Sequence, residues 1–151
     1  IADHMVAAGR LGRKAGAGWY RYPATGDKLV DPSVEDLICE ESAVAGINRR
    51  VFTETEIQHR LVLAMVNEAT EILADGIAQN AADIDLVTIH GYGFPRWRGG
   101  LMHYADQIGV SDILRHLRAL ADEDPLVWRP SSVIVDCAEK HISLAAWHRA
   151  E

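Results

Sequence analysis

The chain of 151 residues has little of what most catalytic sequences announce themselves with. It has only two cysteines, Cys39 and Cys137, far apart and without metal-like spacing. They read as reduced thiols, not as a disulfide framework or a zinc site. No apolar run reaches the length that crosses a bilayer, so no membrane span is expected. Positive charge is scarce: 15 Lys and Arg stand against 22 Asp and Glu, a net of −7. Bulk charge therefore argues against nucleic acid as a partner. There is no Gly-x-x-x-x-Gly-Lys-Ser/Thr, no Gly-x-Ser-x-Gly and no His-Glu-x-x-His, which removes the phosphate loop, the serine-hydrolase elbow and the zinc-peptidase helix. The seven histidines are scattered; of these, His59 and His103 are candidates to titrate near neutral pH. No long alternating strand pattern occurs either.

What is present is helical periodicity and glycine. Residues 1–8 read as a helix end that Gly9 stops. Glycines at 9, 12, 16 and 18 exclude a regular element there. "WYRY" at 19–22 suggests a short extended piece followed by a turn. Residues 33–47 fit a helix capped by Ser33. Thr53 and Glu56 form a capping box, with Phe52 and Ile57 as a hydrophobic staple. Ile57, Leu61, Ala64, Met65, Ala69, Ile72 and Leu73 then give an apolar stripe up to Gly76. A helix follows from Asn80, with Asp83 and Asp85 near its positive end and Ile84, Val87 and Ile89 apolar. Further helices are expected over 100–108, from Ser111, and from Ser131 or Ser132, with a last turn in 143–149. The fold class is all-α.

Candidate site residues cluster in "HGYGFPRWRGG" (90–100). Two Gly-x-Gly runs, 16–18 and 91–93, lack the third glycine and the strand-to-helix setting of a dinucleotide fingerprint. Arg96 and Arg98, with Gly99 and Gly100 opening the next helix, are candidate anion contacts. The alternative has Phe94 and Trp97 anchor the loop in the core, with Pro95 fixing the bend and the arginines solvated beside acidic groups. Asn67 and Glu68 sit mid-helix among apolar residues. They are expected to support the loop, Glu68 by accepting backbone N–H bonds from Gly91, Gly93 and their neighbours. The competing reading makes Glu68 an acid or base.

In their order along the chain, "GRLGRKAGAGWYRY", "VNEA", "DID", "GYGFP", "RGG" and "WRPSSVIVDCAEK" resemble segments of the 3-hydroxyacyl-CoA dehydrogenases, in particular the multifunctional fatty acid oxidation proteins that join enoyl-CoA hydratase to the dehydrogenase. That resemblance implies a helical bundle like the C-terminal domain of 6-phosphogluconate dehydrogenase, with an irregular Gly-rich arm. It implies three parts: 1–30 as the end of a first helical copy, 31–52 as a linker with a short helix, and 53–151 as the second copy. Starting at Ile1, the chain then reads as a C-terminal fragment. NAD belongs to the parent enzyme's Rossmann domain, as does its catalytic His–Glu pair. No catalytic, cofactor-binding or metal-ligating residue is therefore expected here. The partners implied are the remainder of the polypeptide, with its Rossmann and first helical domains, or a second copy of the chain. A stand-alone dimerisation module and an acyl-CoA-binding domain are the alternatives. The ending "HRAE" is not a peroxisomal tripeptide, which points to a cytoplasmic protein.

Overall fold

A computed structural model describes residues 1–149, and the chain divides into two units, Ile1–Val51 and Phe52–Glu151. In the first unit, α1 (Ala2–Ala7) leads into a 3₁₀ turn at Arg13–Ala15. Strands β1 (Tyr20–Arg21) and β2 (Leu29–Val30) pair antiparallel, Tyr20 opposite Val30. Then comes α2 (Pro32–Val44). The segment read as a linker thus holds a 13-residue helix. Its cap is Asp31, not Ser33: the carboxylate accepts from Ser33 N at 3.2 Å, and Pro32 occupies the first helical position. Proline has no N–H to leave unpaired there, so the start shifts two residues upstream of the Ser33 reading. Asp31 also takes a 2.7 Å bond from Arg10, whose guanidinium donates to Gly18 O at 3.1 and 2.9 Å as well. Arg10 beside Asp31 holds that carboxyl below its ordinary range. Gly18 is obligatory for space: a Cβ there would lie 2.8 Å from Gly12 Cα. His4 reaches Glu41 at 3.0 Å and ties α1 to α2.

The second unit is five helices: α3 (Glu54–Ala74), α4 (Ala81–Gly91), α5 (Leu101–Ile108), α6 (Val110–Ala121) and α7 (Ser132–Lys140), closed by a 3₁₀ turn at Leu144–Ala146. The hairpin of the first unit is the only sheet among the described residues, so the all-α class holds. Three starts are capped by their own side chain: Thr53 accepts from Glu56 N, Asn80 from Asp83 N and Ser131 from Ile134 N. Helix α6 starts at Gly109 and Val110, so Ser111 lies inside its first turn instead of capping it. Glycine at 109, with φ of 100°, lets α5 and α6 follow one another without a loop.

The core joins Leu63, Val66 and Leu73 of α3 to Met102 and Ala105 of α5, Ile113 and Leu117 of α6, and Val133, Ile134 and Cys137 of α7. Each large apolar side chain buried there contributes about 1.5–3 kcal/mol. Burial also pushes the Cys137 thiol up to about 11. Helix α3 differs from its expected stripe. Its Ala69 and Leu73 are buried, but Ile57, Leu61 and Met65 are 48%, 60% and 39% exposed, and Leu63, Val66 and Thr70 are buried instead. The helix carries apolar residues on two sides, and periodicity cannot tell which side meets the core. Val87, expected inside, is exposed on α4, where Thr88 is buried instead. No helix among the described residues is long and apolar enough to cross a membrane.

Short elements need their free N–H groups met, and side chains from other helices do it. Asp106 of α5 accepts from Leu144 N at 2.7 Å and Ala145 N at 3.1 Å, capping the 3₁₀ turn. Asp106→Ala is expected to cost about 1 kcal/mol in urea unfolding and to speed amide exchange at Leu144 and Ala145 selectively.

Candidate functional site

The bend at 91–100 begins where α4 runs out. Tyr92 N and Phe94 N both donate to Thr88 O, at 3.3 and 2.9 Å, and Gly93 turns the chain at φ of 71°. Pro95 leads into a 3₁₀ turn, Arg96–Arg98, and Gly99 and Gly100 bring the chain to α5. Helix α5 has no cap of its own, because glycine precedes it. Asp85 of α4 supplies one: its carboxylate accepts from Met102 N at 2.7 Å and His103 N at 3.3 Å. Thr88, one turn further along α4, reaches Leu101 N through Oγ1 at 3.4 Å. Burial raises the Asp85 carboxyl above its usual value, opposed by the bonds from Met102 and His103. The positive end of α5 adds to what holds the charge. Gly100 must be glycine, since a Cβ would run into Asp85, and its φ is 111°.

This overturns the expected support. Tyr92 N and Phe94 N are served by Thr88 and the α5 start by Asp85, not by Asn67 and Glu68. Asn67 faces elsewhere: its amide donates to Arg129 O and accepts from Ser131 N, both at 2.9 Å. It fastens α3 to the entry of α7, beside a 2.6 Å Thr70–Ser131 hydroxyl pair. Glu68 is exposed on α3, and no bond from it to the bend occurs among the described residues. The signal for Asp85 and Thr88 was in the sequence, as two polar residues one helical turn apart on the helix that precedes the glycine-rich bend. It was read as a charge for α4's own start, the nearer of two helix ends.

Of the loop's two expected aromatic anchors, Phe94 packs against the core and Trp97 does not. Phe94 is half-buried and tilts against Tyr104 at 6.1 Å, but Trp97 is 78% exposed and anchors nothing in the core. Arg98 is the half-buried one. Its guanidinium lies 4.3 Å from the Trp97 ring and 4.1 Å from Tyr104. Planar guanidinium groups settle on aromatic faces, so this cation is held by rings, not by the acidic neighbours expected. Arg96 is exposed. A cleft of about 380 Å³ opens between α3, the bend and α5, lined by His59, Val62, Phe94, Arg98, Tyr104 and Ile108.

Behind that cleft the His59 and His116 rings meet edge to face at 4.6 Å. Nδ1 of His116 is buried without a hydrogen-bond partner. Burial lowers the His116 pKa below 6.5, helped by Arg115 on its own helix and by His59, and opposed by Asp112. The described residues contain no group of three or more metal-ligating side chains. Nor do the glycines fit a dinucleotide. Gly16–Gly18 precedes a two-residue strand, and Gly91–Gly93 follows a helix and precedes a 3₁₀ turn. Neither stands between a strand and a helix start, as pyrophosphate binding requires.

Residues 57–141, more than half of the chain, match the family model for the 3-hydroxyacyl-CoA dehydrogenase C-terminal domain. The chain is 41% identical over 119 residues to the "Peroxisomal bifunctional enzyme" of Danio rerio, covering 78% of this chain and 17% of that protein. It is 35% identical over 127 residues to the Homo sapiens protein of the same name, 83% of this chain and 18% of that one. It is 31% identical over 141 residues to the "Fatty acid oxidation complex subunit alpha" of Ectopseudomonas oleovorans, 91% of this chain and 19% of that protein. The chain thus spans about a fifth of the length of these relatives.

Gly100→Ala adds a collision with Asp85 to a strained backbone and is expected to destabilise by about 2–4 kcal/mol in denaturant melts. Gly93→Ala, with nothing within 4 Å of its Cβ, bears the left-handed strain alone, about 1–2 kcal/mol. Because His116 is held neutral in the folded chain, the unfolded chain takes up its proton first as pH falls. Stability is therefore expected to be full above pH 6.5 and to decline as pH drops from there through the lowered folded value. His116→Phe should flatten that slope in melts run across the same range.

Proposed function

The chain belongs to the 3-hydroxyacyl-CoA dehydrogenase family through its C-terminal domain, and we propose that it serves NAD-dependent 3-hydroxyacyl-CoA oxidation in fatty acid β-oxidation as a packing and positioning domain. In this reading it is one part of a longer multifunctional protein that also carries a Rossmann domain, an earlier helical copy and an enoyl-CoA hydratase. NAD and the reacting groups lie on that remainder. The domain division follows: 1–30 closes the earlier copy, 31–52 leads across, and 53–151 is the second copy. A cytoplasmic location is part of the same proposal.

The observation that carries it is the exposed stripe of α3. Ile57, Leu61 and Met65 stand on the side away from the core of the second unit, a row of large apolar side chains facing water. A helix with two apolar sides is built to be covered on both. The remainder of the polypeptide is the partner that the relatives' length favours. Covering α3 would hold the substrate half of the dehydrogenase in register, where a misplacement of about 1 Å can cost about 100-fold in rate. The residues of the bend serve this scaffold: Gly91, Gly93, Phe94, Pro95, Gly99 and Gly100 shape the turn that Asp85 and Thr88 hold. Asn67 fixes α7, while Glu68 has no place in it. An acyl-CoA site on Arg96 and Arg98 is the weaker reading, because the two do not line one cleft: Arg98 lines the one beside α3, and Arg96 lies exposed outside it.

The same stripe favours a second copy of the chain as an alternative occupant. Two measurements separate these outcomes. The purified chain, given 3-hydroxyacyl-CoA and NAD, is expected to form no NADH, and measurable turnover would overturn the positioning role. Light scattering is expected to give the mass of one chain. A twofold mass that Leu61→Asp halves would instead assign the stripe to self-pairing.

A further inference from the structure

We infer that the hairpin of the first unit carries an anion site for a phosphate group, a function separate from the proposed positioning role. The chain as a whole is acidic, yet residues 9–30 hold Arg10, Arg13, Lys14, Arg21 and Lys28 against Asp27 alone, a local net of +4. Two of these cations are engaged by Asp31, Arg10 at 2.7 Å and Arg21 at 3.5 Å. For Arg13, Lys14 and Lys28 no carboxylate lies within ion-pair distance among the described residues.

The free cations do not merely scatter over the surface. Arg13 and Lys28 line one cleft of about 290 Å³ with Tyr22, Pro23, Ala24 and Gly26. Each is steadied by a ring. The Arg13 guanidinium sits 5.2 Å from the Tyr22 centroid, and the Lys28 ammonium 4.3 Å from that of Tyr20. Ring contacts restrain these long side chains without neutralising them, so less rotamer freedom is lost when an anion arrives. Gly26 sits in the turn at φ of 107°, with nothing within 4 Å of where a Cβ would be, and leaves that wall open. The strand pairing of β1 and β2 and the Arg10 bonds to Gly18 O and Asp31 fix the two sides of the cleft.

The size selects the ligand class. Ligand pockets run from about 300 to 1,000 Å³, so this one sits at or below the low end. It takes a phosphate or diphosphate group and leaves whatever the group is attached to outside. A phosphate offers two charges and three acceptor oxygens to two separated cations, which a single carboxylate does not.

The test titrates the isotopically labelled full chain with pyrophosphate, with adenosine 3′,5′-bisphosphate and, as a neutral control, with adenosine, following the amides of Tyr22, Gly26 and Lys28. Saturable shifts from both phosphates are expected, with roughly millimolar affinity that weakens as salt is raised. Stronger binding of the bisphosphate would assign a nucleotide as the source, and equal binding a free phosphate. Arg13→Ala with Lys28→Gln should weaken binding at least about tenfold, whereas Arg118→Ala, at an exposed position of α6, leaves it unchanged. The proposal is overturned if neither phosphate gives a saturable shift, if the double variant binds as well as the parent, or if only anionic phospholipid vesicles or an acidic peptide move these amides. Failure here leaves the NADH and light-scattering results standing, and failure there leaves this site standing.

Discussion

A carboxylate on one helix closing the open end of another is the contact on which the second unit is arranged. Helix α5 spans eight residues and begins after two glycines, so nothing local can satisfy its first amides. Asp85 reaches across from α4 and takes two of them. Without it the amide of buried Met102 would lack a partner, at a cost of about 1–3 kcal/mol. Fixing α5 against α4 sets the direction in which Met102 and Ala105 enter the core. It also sets the pitch of the bend that carries Phe94 and Arg98 over the cleft.

The same solution recurs. Asp106 on α5 closes the turn at 144–146, and Asn67 on α3 holds the chain entering α7. Three helices, α3, α4 and α5, thus each fasten the start of a later element. In a domain whose helices are short, these cross-links supply the direction that burial alone does not give. Apolar surface rewards proximity, but hydrogen bonds reward one angle.

Much of this architecture was legible in the sequence. The capping box at Thr53, the cap at Asn80, the stop at Gly76 and the start at Ser131 are local, decided by residues within four positions of one another. The all-α class and the run of helices followed from them. What could not be read was which distant partner a polar side chain would choose. Asn67 was read as serving the glycine bend but pairs with residues 129 and 131, and Asp85 was read as serving its own helix but caps the next. Helix α3 posed the same difficulty in apolar form, with two rows that each satisfy a helical period. Arg98 was misjudged because sequence gives charge balance, whereas the fold gave this guanidinium two aromatic faces.

The pairing of Gly100 with Asp85 constrains how this sequence can drift. A side chain at 100 needs the space the carboxylate fills, and clearing that space by shortening residue 85 strips the cap from α5. Either change alone is penalised, and the two together still leave α5 without its donor's partner. Single-step routes away from the pair are closed in both directions. The two residues therefore act as one unit, although fifteen positions of helix and loop separate them along the chain.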